Sequence, residues 1–279
     1  SNILPSQFLK KIIALLVIIF GWVNQRIDVL STPVLRDIFL AMYFTYKKHL
    51  EDPFYGLVTS RPELFQQGHI LDIGSNVGFT VSLFASVVSS GYQVHAFEPD
   101  SKNITLLKRV VRKKNISSKV CVNGVAVGNR TGEVQLIINH RDHADHRVLN
   151  SESQIINISK SATSVPCTTI DDYWKSLPEP RRVAFVKIDV QGFEPAVLEG
   201  MRELLISQDN VIVAFEFSPT AFRSLGFSSE SVLSLLNQWR GKTIYMITKE
   251  GQIHRMDNFA FSNYPDTLNL LFAPETLLI

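Results

Sequence analysis

Leu71-Asp72-Ile73-Gly74-Ser75-Asn76-Val77-Gly78 closes an apolar run with a turn that carries two glycines, after which small and apolar residues resume. Glycine at positions 74 and 78 lets the backbone approach a ligand where a side chain would collide. A helix beginning near Val77 would aim N–H groups at that ligand, which suits a carboxylate. Ser75 and Asn76 sit inside the turn. Asp72, at the end of the preceding strand, is placed to face a cationic amino group directly or through water. Glu98 in Ala96-Phe97-Glu98-Pro99 ends the next apolar run, where an acid accepts hydrogen bonds from ribose hydroxyls. The spacing Gly74-x-x-x-Gly78 differs from the G-x-G-x-x-G of nicotinamide enzymes and argues against that class. A nucleoside carrying an amino acid fits these requirements, and S-adenosylmethionine is such a ligand.

A second set of residues could act on an acceptor. Asp189 ends a central apolar run, Glu194 opens the helix after it, and Glu216 stands between Phe215 and Phe217. Burying an isolated carboxylate between phenylalanines is costly, so Glu216 calls for a partner or a function. Glu194 reads equally well as a helix N-terminal charge. The segment His140-Arg141-Asp142-His143-Ala144-Asp145-His146-Arg147 offers His143 and His146, which titrate near neutrality with little shift. These make His146, His143, Asp189 and Glu216 the candidate catalytic residues. Asp189, Glu216 and loop histidines would suit magnesium or manganese only partly, and no metal is assigned.

The elements needed to position these groups can be read along the chain. Apolar runs at 69–73, 92–97, 120–127, 183–189 and 211–217 alternate with helical patterns at 77–89, 101–115, 194–205 and 229–240. That rhythm predicts βαβ units and a parallel sheet. Strands at 243–248 and 267–273 would close it as an antiparallel pair. Residues 133–138 and 165–168 read as strands flanking a polar, irregular stretch at 140–161, a length uncommon in a compact domain unless it serves a function or is disordered. Ser31-Thr32-Pro33 reads as a helix start, with Lys47-Lys48 in the last turn. Residues 1–67 are expected to form a helical extension outside the catalytic domain at 68–279.

Composition excludes some classes. An apolar fraction of 45% with 19% charged residues is ordinary for a globular chain, and a net charge of +2 gives no reason to expect nucleic acid. The basic run Lys108, Arg109, Arg112, Lys113, Lys114 reads as a solvated helix face. Cys121 and Cys167 are too few for a disulfide framework or a zinc site and suit a reducing cytoplasm. The uncharged run at 12–23, flanked by Lys10-Lys11 and Arg26, is short for a bilayer span and lacks a cleavage site. It is expected to touch a membrane surface peripherally, a partner, or the domain itself, and the membrane option would place the chain at the inner face.

Asp72-Ile73-Gly74-Ser75-Asn76-Val77-Gly78, Phe97-Glu98-Pro99, Asn123-Gly124-Val125-Ala126-Val127-Gly128, Lys187-Ile188-Asp189-Val190-Gln191-Gly192-Phe193-Glu194 and Phe215-Glu216-Phe217-Ser218-Pro219 together resemble the FkbM-type methyltransferase family. The fourth block is the most specific, and Gln191 departs from it where many members carry Glu. Asp145-His146-Arg147 also resembles a segment found in part of that family, in the loop facing the active site. The resemblance implies a class I methyltransferase (Rossmann-like) α/β fold with a mostly parallel seven-stranded sheet flanked by helices. It implies S-adenosylmethionine as methyl donor and a hydroxyl of a sugar, glycolipid or natural product as the usual acceptor. By position, Asp72, Gly74, Ser75, Asn76 and Gly78 would hold the methionine portion, Glu98 and Pro99 would flank the ribose, and Ala126 would lie against the adenine. The alternative, a methyltransferase-like scaffold that binds a partner or membrane without catalysis, predicts a degraded cofactor loop, whereas this loop is intact.

Overall fold

The computed structural model describes residues 32–137, 147–149, 162–177, 182–239, 241–256 and 267–275. The run at 12–23 and the candidates His143 and His146 lie outside them. Strands buried on both faces read as continuous apolar runs and belong inside a parallel sheet. β1 (His69–Ile73) and β8 (Val183–Ile188) are of this kind, buried at every position. β1 pairs in parallel with β2 (Val94–Phe97) on one side and β8 on the other. Beyond them lie β3 (Val120–Asn123) and β9 (Ile212–Phe217), also parallel. β12 (Leu268–Pro274) runs antiparallel between β9 and β10 (Lys242–Ile247), the expected closing pair.

The sheet departs from expectation in two places. It has eight strands, because β11 (Ile253–Arg255) folds back on β10 as a further edge strand after a turn at Gly251, whose φ is 80°. The run at 120–127 is also not one strand. After the Asn123 carbonyl accepts from the Glu98 amide, the chain leaves the sheet, and β4 (Ala126–Val127) joins a second one. This small sheet has the order β4-β7-β5-β6, with β5 (Gly132–Ile137), β6 (Arg147–Leu149) and β7 (Ala162–Thr168).

Helices cover both faces of the large sheet. On one face α2 (Phe54–Ser60), α3 (Phe79–Val87) and α4 (Ser101–Lys113) bury Leu57, Phe84 and Leu107 against Ile70, Val94 and Phe185. On the other, α5 (Ile170–Ser176), α6 (Glu194–Glu199), α7 (Arg202–Ser207), α8 (Pro219–Ser224) and α9 (Ser229–Asn237) cover Leu71, Ile73, Val186 and Val213. Neighbouring residues such as Ile70 and Leu71 thus enter opposite cores, as the period of two requires.

The segment before residue 67 is not separable from this body. Phe54 and Phe65 stack into the first core, with the Phe65 and Phe185 ring centroids 4.4 Å apart. The first described helix, α1 (Pro33–Tyr46), places Leu40 in a cluster with Val77, Leu106 and Val110. Pro33 opens it as expected, but the Thr32 hydroxyl makes no capping hydrogen bond. Its end is also not at Lys47-Lys48, because the backbone widens there into a π turn at Lys47–Glu51. No described helix is long and apolar enough to cross a membrane.

Candidate active site

The chain leaves β1 toward β2 and β3, then returns on the other side of β1 as β8. At such a switch point the two loops diverge and leave a crevice at the carboxyl ends of the strands. The loops after β1 and β8 form its walls. At Gly74, where φ is 77°, a Cβ would lie 1.8 Å from the Asp189 carbonyl oxygen. Only glycine permits that contact, which joins the two loops. Asn76 (φ 49°) and Gly78 (φ 91°) complete the left-handed turn, and α3 starts directly after it.

Hydrogen bonds fix the first loop internally. The amides of Gly74 and Ser75 both donate to the Phe97 carbonyl, at 3.1 and 3.0 Å. The Gly78 amide donates to Ser75, and the Asn76 amide donates to Glu98 Oε2 at 2.9 Å. The loop amides at 74, 75, 76 and 78 are therefore engaged within the protein. An anion would instead meet the first turn of α3, whose amides lack intrahelical partners.

Asp72 is the clearest correction. It is fully buried and does not line the cavity, so its carboxylate is held by the protein instead of being presented to a ligand. Its Oδ2 accepts from the Thr80 hydroxyl at 2.5 Å, and its Oδ1 faces Lys187 Nζ at 3.3 Å as an ion pair. Lys187 also donates to the Gly74 carbonyl at 2.8 Å and stands 3.6 Å from Asp189 Oδ2. Burial works against the lysine charge, but Asp72 and Asp189 outweigh it and raise its pKa. Burial raises the Asp72 carboxyl despite Lys187. For Asp189 burial opposes ionisation, yet the charges of Lys187 and Lys47 hold it below the usual range.

The cavity itself is an open cleft at the carboxyl ends of β1, β2, β8 and β9. Gly74, Ser75, Asn76, Glu98, Pro99, Ala126, Asp189 and Glu216 line it, as expected for a shared site. Gly78 does not. Its Cα faces Leu107, which a Cβ would approach to 2.5 Å, so this glycine serves helix packing. Glu98 is buried at the cavity wall, with Oε1 accepting from the Asp100 amide and Oε2 from Asn76. Desolvation pushes its pKa up to about 7.

Sequence reasoning missed Tyr43, Lys47 and Asp52, which bring the preceding segment into the cavity, and Lys187 and Gln191. Burial raises Asp52 to about 6 in spite of Lys47. A lysine between Val186 and Ile188 in an apolar strand is as anomalous as Glu216 between phenylalanines, so Lys187 carried a readable signal. Tyr43 and Lys47 on an amphipathic helix carried none.

Glu194 proves to be framework. It is buried, and its two oxygens accept from the Val190 and Gly192 amides, each at 2.9 Å. This pins a turn in which Gln191 (φ 55°) and Gly192 (φ 103°) are both left-handed. Burial pushes its pKa up to about 8. Gln191 uses its amide to donate to Asp189 Oδ1 at 3.1 Å. Asp189, Glu194 and Glu216 bring carboxylate oxygens within 4.8 Å of one another, but Glu194 already spends an oxygen on each of two backbone amides.

A glycine-linked crevice with a buried acid after β2 is the site of an adenosine-type ligand on a methyltransferase-like sheet. The family model of the methyltransferase FkbM domain matches residues 72–242, and the chain belongs to that family. Membership and the loop together imply S-adenosylmethionine as the donor. No sequence among functionally curated proteins matches the chain. Among solved structures it is similar to methyltransferase FkbM from Methylobacillus flagellatus, with 18% identity and a TM-score of 0.44 over 83% of this chain. It spans 53% of that protein's length. It is also similar to an O-methyltransferase from Bacillus cereus solved in complex with SAH (13% identity, TM-score 0.44, 80% of this chain and 81% of that one).

Proposed function

We propose that the protein methylates a hydroxyl group on a carbohydrate, glycolipid or natural product. The observation that carries this reading is one cleft with Glu98 on the β2 side and Asp189 with Glu216 on the β8–β9 side. Gly74, Ser75, Asn76 and the first turn of α3 would hold the methionine portion of S-adenosylmethionine. Glu98 would accept from the ribose hydroxyls, with Pro99 beside them and Ala126 against the adenine. The fit rests on Glu98, a buried carboxylate on the cleft wall with acceptor capacity beyond its bonds to the Asp100 and Asn76 amides. When bound, this donor supplies an electrophilic methyl group.

The protein's share is alignment of the acceptor oxygen and removal of its proton. Asp189 is ionised through Lys187 and faces the cleft, so it accepts the acceptor's hydroxyl hydrogen and orients the oxygen. Glu216, on the adjacent strand β9, offers a second acceptor. Four carboxylates (Asp52, Glu98, Asp189, Glu216) against Lys47 and Lys187 favour a neutral polyhydroxylated acceptor over an anionic one. His143 and His146 remain candidate bases or substrate contacts in the segment that β5 and β7 flank.

Titration calorimetry with S-adenosylmethionine and S-adenosylhomocysteine tests the donor, and the expected result is binding in the micromolar range. Absence of binding to either at high micromolar concentration overturns the enzyme reading. Mass spectrometry of glycans and lipids from cells with and without the active protein then identifies the acceptor.

A further inference from the structure

The outer face of α1 is unlike that of any other described helix. Of the four large apolar side chains exposed among the described residues, Val34 (67%), Leu35 (43%) and Ile38 (49%) are all on it. Ala41 and Thr45, also exposed, continue the strip one and two turns on, so the solvent side of this 14-residue helix carries no charge. A helix on a water-facing surface ordinarily turns charged residues outward and apolar ones inward.

Beside it lies the opposite kind of surface. α4 contains Lys102, Lys108, Arg109, Arg112 and Lys113 and no acid. Lys102, Lys108, Arg112 and Lys113 are exposed, so the basic run reads as one continuous cationic face. The two helices are fastened together. Arg109 clasps Asp37 of α1 with two hydrogen bonds, of 3.0 and 2.9 Å, and Lys113 reaches the same carboxylate at 3.1 Å. Below them Leu40 packs on Leu106 and Val110.

An uncharged strip held against a cationic strip has the chemistry of a surface that lies in the interface of an anionic bilayer. The apolar side enters the acyl boundary while the cations meet lipid phosphates. Two sequence features agree. Residues 12–23 supply a second uncharged run about ten residues before α1, flanked by Lys10, Lys11 and Arg26, with Asp28 as the one acid between the run and α1. We propose that the exposed edge of α1 and the basic face of α4 seat this protein on a membrane containing anionic phospholipid.

The consequence for the site follows from α1 having two sides. Tyr43 and Lys47, at its end, line the cleft, and Phe44 packs edge-on against Phe79 at 5.5 Å. The helix that lies on the lipid is therefore one wall of the reaction cavity, which opens the site to acceptors held at the bilayer surface.

The test uses the full chain and large vesicles, either pure phosphatidylcholine or phosphatidylcholine with phosphatidylglycerol, in co-sedimentation. The expected result is at least tenfold tighter binding to the anionic vesicles, reduced several-fold when salt is raised into the high-salt range. Val34→Glu with Ile38→Glu should lower binding at least tenfold. Lys108→Glu with Arg112→Glu should remove most of the anionic preference, since each cation near such a surface contributes about fivefold. Unchanged S-adenosylmethionine affinity and melting temperature in both variants show that the fold survives. Equal binding to both vesicle types, or anionic binding unmoved by either variant, overturns the proposal, the latter by assigning the contact to residues 12–23 alone. Absence of vesicle binding, with a dimer in sedimentation that Val34→Glu/Ile38→Glu dissolves, overturns it in favour of a second copy. Vesicle binding needs no donor, so this outcome is independent of whether the methyltransferase reading holds.

Discussion

The loops after β1 and after β8 are built alike and do different things. Each turns through left-handed residues, and each is held by a buried glutamate whose two oxygens accept from backbone amides. Glu98 holds Asn76 and Asp100, while Glu194 holds Val190 and Gly192. The cleft reaches Glu98 and does not reach Glu194. An acid in a motif is thus a ligand-binding group or a piece of the frame according to whether empty space touches it, and the residue type alone does not decide. Asp72 and Asp189 repeat the lesson around one lysine. Both sit next to Lys187, but Asp72 is sealed in and Asp189 faces the cleft.

The comparison can be broken most sharply at Asp189. Asp189→Asn should lower kcat by about 10²–10⁴-fold if this group accepts the acceptor's proton, while donor affinity in calorimetry changes only a few-fold. A loss confined to donor binding would move Asp189 to the other side of the comparison. Next in size is Glu194→Ala, which strands two buried amides and should destabilise the fold by about 2–4 kcal/mol in urea denaturation. Glu194→Gln, which keeps one acceptor oxygen, should lose less. Glu98→Ala should weaken S-adenosylhomocysteine binding by about 1–3 kcal/mol in calorimetry.

The smallest effect separates the two glutamates by pH. Both folded-state pKa values are raised, Glu98 to about 7 and Glu194 to about 8, so their contribution to stability is full below about 4.5 and is lost as pH rises through those values. Ribose hydroxyls donate to an ionised carboxylate, so binding favours the deprotonated form of Glu98 alone. Donor affinity should therefore rise by up to about tenfold from pH 6 to pH 8 in the wild type. Glu98→Gln should flatten that rise and Glu194→Gln should leave it in place.

Much of the frame was legible because periodicity and turn chemistry report on it directly. β1, β2, β8 and β9 lie where apolar runs place them, and the Gly74 turn and its partner Glu98 line one cleft. What was not legible depends on contacts between distant segments. Asp72 reads as a binding residue until Thr80 and Lys187 surround it. The run at 120–127 reads as one strand when its apolar residues are weighed alone, yet Asn123-Gly124, a turn dipeptide, marks the point where pairing passes from β2 to β7. Residues 33–67 read as an appendage because their phenylalanines find their partners, Phe84 and Phe185, far along the chain.

The small sheet has a bearing on how such a protein can diversify. β5 and β7 pair in register from Gly132 with Cys167 to Ile137 with Ala162, so the ends of the intervening stretch leave the fold side by side. Leu136 and Ala126 set this clamp at the rim of the cleft. Lengthening a segment whose ends are already joined costs little, since closure entropy grows only with the logarithm of length. Within that stretch β6 pairs back onto β5, so the small sheet holds it at a second point. The joined ends at Ile137 and Ala162 are therefore a point where chain length can change at small entropic cost while the large sheet stays untouched.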